Sequence, residues 1–366
     1  MKDARFNRIT LLAVAMVVTL TCVVAGQAQD PDNTGFDLRP GAKGAFVTLP
    51  PHYRPDLGPG RNDHTASSLP TWSSSFTAQN ETWNFTMVGA DPSSANATTT
   101  VPTFIIPVKL VYGPGNGNMA FDPKHALSNG RTVVQNVVAS PVIETGIDFV
   151  QGGVDLGTTQ YADAFQRGNF WDDVQSNPGY HLLLGKPTLL PEVVLTVPAA
   201  DGMVTNEFGV TVGLTDIFWL DSKLQTAISH YTQIQPNALP IFLTYDVYLT
   251  EFGACCIGGY HSNLTPANQT YAYTTYLDHT GVFSEDTAAL SHEVAEWIDD
   301  PFVTNNSPCG LLEVGDPLDQ HDYPYTLHGF TYHLQDLVFL DWFSGDNRQP
   351  VNNWFSFQNE LTRQCF

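Results

Sequence analysis

Positive charge is scarce in this chain. Its 366 residues include 15 Lys and Arg against 37 Asp and Glu, a formal charge of −22. The first 28 residues carry Lys2, Arg5 and Arg8 against Asp3, a net of +2, so the remainder stands at −24. That sign repels phosphodiester backbones and anionic lipid surfaces, which argues against nucleic-acid and charged-membrane partners. Charge of either sign is also sparse. Charged residues make up 14% and hydrophobic residues 42%, which excludes an acidic disordered chain and implies a real core. No stretch after the N-terminal region could cross a bilayer. There is no C-x-x-C pair, so the cysteines read as structural rather than redox-active or metal-binding. There is no Gly-x-Ser-x-Gly elbow, so a serine hydrolase would lack its usual local motif. "GPGNGN" (113–118) lacks a lysine and a following helix, and reads as a turn rather than a phosphate loop. No internal repeat or low-complexity tract occurs.

What is present begins with an address. A basic start leads into "ITLLAVAMVVTLTCVVAG" and then the small residues "AGQA", the pattern of a secretory signal peptide over 1–28. Secretion to an extracellular or periplasmic space is therefore expected, with no membrane attachment after cleavage. Cys255, Cys256, Cys309 and Cys365 remain, enough for two disulfides. Either the adjacent pair bond to each other and Cys309 to Cys365, or the pair tie separately to Cys309 and Cys365. Residues 29–70, rich in Pro, Gly and Asp, read as an extended arm. From 71 to 366 no boundary is apparent, and a single large α+β domain is expected, β-rich in its N-terminal portion. Its metal site would lie within about 240–366.

Along that domain, alternation marks strands at 71–78 and 81–88 about a turn near Asn80, at 99–113 with Pro107 suggesting an edge or a bulge, and at 189–199 and 208–214. Residues 239–251 and 269–278 are strongly β. Leu220, Leu224 and Ile228 recur every four residues and predict a helix over 215–231, with Thr215 as a candidate cap. Residues 330–343 also read as an amphipathic helix, with Leu334, Val338 and Trp342 on its core face.

The chemistry concentrates in "ALSHEVAEWIDDP". A helix is expected from about 285 to 299, with Ser284 as its cap and Pro301 as its stop. At 100° per residue Leu290, Val294, Trp297 and Ile298 share one face. His292 and Glu296 share the other, one turn apart, as two ligands of one ion must, and Glu293 lies at the boundary. Imidazole and carboxylate both suit zinc. A zinc-bound water is acidic enough to attack a carbonyl near neutral pH, and Glu293 is placed to accept its proton. A bare H-E-x-x-E also describes a solvated acidic face, so a third ligand is needed. "GLLEVGDPLDQHD" follows, with Glu313 and Asp316 in it.

The helix and this acidic segment resemble the gluzincin arrangement of thermolysin-like metallopeptidases. That resemblance implies a zincin-like mixed sheet with an active-site helix. It implies Glu313 as third ligand, with Asp316 orienting a ligand histidine or exchanging roles with Glu313. "GGYHSN", "LSHEVAEWIDDP" and "LEVGD" together also resemble secreted bacterial proteins of unassigned activity and the plant Exordium-like (phosphate-induced) wall proteins. This adds His261 as a candidate ligand or substrate contact. In a zincin a Tyr or His beside the metal stabilises the oxyanion, for which Tyr332 and His333 are candidates. His333 also reads as an ordinary exposed residue. The expected cofactor is one zinc ion, with manganese, iron or calcium as acid-rich alternatives, and the expected partner a peptide or protein. A peptide would add as a strand beside 269–278. The alternative is a noncatalytic surface- or wall-binding protein that keeps a metal for stability.

Overall fold

The computed structural model describes residues 46–54, 56, 68–345 and 349–366. The expected signal segment 1–28 and the first part of the arm, 29–45, lie outside the described residues. The elements that build the site are β1 (His52–Tyr53), β2 (Thr103–Tyr112), α1 (Tyr161–Asn169), α2 (Ile217–His230), β3 (Leu239–Tyr245), β4 (Gly259–Thr265), β5 (Gln269–Tyr276), α3 (Ala288–Asp299) and β6 (Phe330–Gln335). One sheet runs β1–β4–β5–β3–β2 and ends in Thr188–Leu189. Strands β5, β3 and β2 are parallel, β4 is antiparallel to β5, and β1 is parallel to β4. The fold is thus mixed, α+β, as the sequence implies.

Both faces of this sheet are covered, which is why β3 reads as the near-continuous apolar run LPIFLTY. Strand alternation divides the side chains between two layers. Ile105, Ile241, Leu243 and Ala272 pack with α1 and α3. Ile106, Phe242, Tyr271 and Tyr273 pack with α2 on the opposite face. On β4, Tyr260 and Leu264 belong to the α2 layer. The same alternation turns Gly259 and His261 toward α3.

Several expectations are met and others corrected. The strands at Thr71–Ala78 and Glu81–Val88 form an antiparallel hairpin. Leu220, Leu224 and Ile228 are buried on α2. Its cap is Asp216, whose carboxylate accepts the Trp219 N–H, because Thr215 is committed to a hydroxyl contact with Tyr112. Pro107 is not on an edge strand. It sits where β2 finishes pairing with β3 and, on its other side, between the short pairings to Thr188–Leu189 and Val193–Val197, so its missing N–H interrupts no ladder. Residues 330–343 are not one helix. "FTYHLQ" alternates and pairs with Asp322–Leu327, and only Leu340–Ser344 is helical. Helix α3 begins at Ala288 rather than near Ser284. The Asp286 carboxylate is taken by the N–H groups of Thr287 and His333 and by the His333 ring, which fixes a turn before it.

Strand β5 is not an edge. It pairs with β4 on one side and β3 on the other, so no peptide can add to it. The disulfides are Cys255–Cys256 and Cys309–Cys365, and the second ties the C-terminus to the segment leading to Glu313. Among the described residues no helix is long and apolar enough to cross a membrane.

Candidate metal centre

Helix α3 segregates as its sequence implies, with Leu290, Val294, Trp297 and Ile298 in the apolar core. Yet every residue of the helix is buried. The polar face is covered by β4, by β6 and by the 310–318 segment, so His292, Glu293 and Glu296 lie out of water.

The orientation of each imidazole follows from its partners. Gln335 donates its amide N–H to the Gly315 carbonyl at 2.8 Å, so its Oε1 is the atom 2.9 Å from His292 Nδ1. Nδ1 therefore carries the proton, and Nε2 faces Glu296 Oε2 at 3.0 Å and Asp316 Oδ1 at 3.6 Å. His261 repeats this logic with the nitrogens exchanged. Its Nε2 donates to the Asp300 carbonyl at 3.1 Å, leaving Nδ1 facing Glu293 Oε2 at 3.5 Å and Glu296 Oε2 at 3.9 Å. Glu296 joins the two halves. Its Oε1 accepts the N–H groups of Gly315 and Asp316 at 3.0 and 3.2 Å, and its Oε2 lies between the histidines. Glu313 Oε2 is 3.8 Å from His261 Nε2.

Two groups of donor atoms result, each mutually within 4.8 Å: His292, Glu296 and Asp316, and His261, Glu293 and Glu296. Such groups could hold a metal ion. The sequence pointed to His292, Glu296 and Glu313. Among these, the structure brings the first two together with Asp316, and places Glu313 on the His261 side. A third group, Glu285, Asp286 and His333, is separate. His333 is held by Asp286 at 2.7 Å, and the Tyr332 hydroxyl by Asn136, so neither belongs to the groups around Glu296. Glu207 lies near Cys255 and Cys256, but their disulfide leaves no thiolate to bind.

Buried polar atoms without partners cost roughly 1–3 kcal/mol each. Here they converge. His261 Nδ1, His292 Nε2, Glu296 Oε2, Asp316 Oδ2 and both oxygens of Glu293 and Glu313 lack a hydrogen-bond partner. The 3.0 Å approach of His292 Nε2 to Glu296 Oε2 thus lacks hydrogen-bond alignment, but suits two lone pairs directed at a shared cation. The donor set fits a metal ion.

In the metal-free protein, protons take the place of a cation among these groups. Burial drives Glu293 and Glu313 well above the usual carboxylate range, and neighbouring carboxylates add to it. Burial, then the Glu296 charge, raises Asp316 to about 8, and burial raises Asp300 to about 7. Burial lowers His261. Burial works against the charged forms of His292 and Glu296 too, but their mutual attraction prevails, raising His292 and lowering Glu296. Without metal, the folded protein holds protons on Asp300 and Asp316 that the unfolded chain releases. The resulting stability is full below the ordinary value of 3.8 and is lost as pH rises through about 7 and about 8. The depressed Glu296 acts oppositely, but only below its ordinary value of 4.5. Metal-free protein is expected to lose Tm between pH 6.5, above which the lowered His261 no longer opposes the loss, and about pH 8, and zinc to reverse the trend by replacing the protons. A metal-free Tm that rises across this window would contradict the assignment.

Two glycines are required by the side chains beside them. A Cβ on Gly315 would lie 2.3 Å from His292 Nδ1, and one on Gly259 would lie 2.5 Å from Glu293 Oε1. The glycines of "LEVGD" and "GGYH" are therefore spaces for the site. Gln335, Asp300 and Phe46, whose ring stacks on His292 at 3.8 Å, are not singled out by sequence reasoning. Asp300 lies at the end of the quoted helix motif and Gln335 in the 330–343 segment, but the first acts through its carbonyl and the second from a strand read as helix, while Phe46 has no motif around it.

No family model, curated protein or solved structure matches this chain.

Proposed function

We propose that this protein is a secreted zinc-dependent hydrolase with a zincin-like active site, acting on peptide bonds. The observation that carries the reading is the pair of imidazoles, each tied through one nitrogen and presenting the other as a lone pair toward Glu296. His292 and Glu296 bind the ion. The distances favour Asp316 over Glu313 as the third ligand, and His261 lies within reach of the shared Glu296 oxygen. Two imidazoles favour a transition metal over calcium, while the surplus of carboxylates leaves manganese and iron as competitors. When bound, zinc makes a coordinated water acidic enough to act as a nucleophile near neutral pH. Glu293 supplies the base. Both its oxygens lack a hydrogen-bond partner, and a cation beside it would keep the carboxylate ionised, so it can take a proton from water and return it to the leaving amine. The two disulfides suit an oxidising compartment.

A second reading has support in the complete burial of the ligands. A site closed to solvent suits a structural ion in a noncatalytic wall-associated protein. Glu293→Gln separates the two. For a hydrolase, turnover of a quenched peptide library falls by about 100-fold or more while zinc content is unchanged. Zinc-loaded unmutated protein that cleaves nothing, at any pH from 5 to 9, would leave only the structural reading.

A further inference from the structure

His261, His292, Glu293 and Glu296 are fully buried. No polymer can reach such a centre unless something moves, and beside β4, β6 and the 310–318 segment one further cover lies over His292. The Phe46 ring lies on the His292 ring, 3.8 Å between centroids and 28° from parallel, with Phe283 at 5.0 Å. Phe46 also walls a cavity of about 190 Å³ that it shares with Phe283, Ala288 and Gln335, the residue that fixes His292.

From Phe46 the chain follows the outer edge of β4, the strand that carries Gly259 and His261. Val47 N–H donates to the Gly259 carbonyl and Leu49 N–H to the His261 carbonyl, both at 3.4 Å. His52 and Tyr53 pair in parallel with Leu264 and Thr265, and Arg54 N–H donates to the Thr265 carbonyl at 2.7 Å. The other edge of β4 is taken by β5, so this is the edge of β4 that is open to an added strand. Main-chain pairing of this kind accepts any extended peptide, and pockets for alternate side chains supply the selectivity. Here Phe46 fills the place over His292, Val47 and Leu49 pack into the α2 layer, and His52 Nε2 approaches Asp221 at 3.1 Å. The ladder is thin. Pro50 and Pro51 have no N–H to offer between Leu49 and His52, and the two bonds nearest the centre are long.

We propose that the outer edge of β4 is a binding site for an extended polypeptide bearing an aromatic side chain over His292. Phe46–Arg54 is its occupant in cis, and the centre stays closed until that segment is displaced. This rests on the hydrolase reading, for which it names the substrate class and the step that admits substrate.

The test uses the full-length secreted chain with a specific protease site inserted between residues 60 and 61, so that one cut frees the segment without removing it. The probes are zinc, EDTA and a fluorescent peptide of residues 46–54, FVTLPPHYR. After the cut, the labelled peptide is expected to exchange into the protein with saturable anisotropy, and the same peptide carrying Phe46→Ala to bind at least tenfold more weakly. In uncut protein, Phe46→Ala is expected to release zinc to EDTA at least tenfold faster than the unmutated chain. Phe46→Leu, which keeps the buried bulk but loses the stacked ring, is expected to fall between them. Failure of the labelled peptide to exchange into cut, folded protein would overturn the proposal. So would zinc release unchanged by both substitutions. Protein that takes up no zinc would defeat the hydrolase reading alone, because the peptide exchange still decides the strand site.

Discussion

Glu296→Gln is expected to weaken zinc binding by roughly 100-fold or more while the protein stays folded. Glutamine keeps an oxygen where Oε1 accepts the N–H groups of Gly315 and Asp316. The loop that carries Asp316 therefore remains anchored. What changes is the other atom. Oε2 is the Glu296 oxygen that faces both His292 and His261, and an amide there offers hydrogens toward two lone pairs and no charge to a cation. Glu296→Ala goes further, because it strands the buried Gly315 N–H and the part-buried Asp316 N–H, and is expected to cost an additional ~1–3 kcal/mol of stability. Competition titration with a zinc chelator, together with thermal unfolding of the metal-free proteins, separates the two effects. Equal zinc affinity in Glu296→Gln would remove this residue from the centre.

The second large effect is expected at residues with no polar side chain. Gly315→Ala places a methyl 2.3 Å from His292 Nδ1, inside the gap that the Gln335 hydrogen bond needs. Gly315 has φ −90°, a conformation open to alanine, so the objection is steric alone. The ring or the loop must shift. We expect a loss of ~1–3 kcal/mol in stability and a tenfold or larger loss in zinc affinity. Gly259→Ala acts on the other half. Its methyl meets Glu293 Oε1 at 2.5 Å, so turnover should fall more than metal affinity. Parallel measurement of zinc affinity and turnover in the two variants gives opposite patterns if Glu293 is the base and His292 the ligand. A shared pattern would reject that division.

The site was legible where chemistry and periodicity coincide locally. One turn separates His292 from Glu296, and the apolar stripe Leu290, Val294, Trp297 and Ile298 fixes which way they face. The downstream "LEVGD" reads as their partner, and the Glu296 carboxylate accepts from the Gly315 and Asp316 backbone. Which acid approaches His292 was not legible. Glu313 and Asp316 are three residues apart on an irregular segment with no period to orient them. Fully buried polar residues also defeat a surface reading. A helix face carrying His, Glu and Glu looks solvated in sequence, and only the covering by β4, β6 and the 310–318 segment takes it out of water. The error over 330–343 came from the spacing Leu334, Val338, Trp342, which mimics a helix across a strand and a separate short helix. The edge position failed for a different reason. Strand order is set by long-range pairing, and residues 46–54, part of a Pro-rich arm without periodicity, gave no sign that they lie along β4 beside His261.

The most direct measurement is the metal content of the purified protein by mass spectrometry, alongside His292→Ala and His261→Ala. Zinc at one ion per chain is expected in the unmutated protein, with zinc lost from His292→Ala and reduced in His261→Ala, all three remaining folded by circular dichroism. Folded, unmutated protein that holds no stoichiometric transition metal after growth and dialysis in zinc would contradict the metal centre.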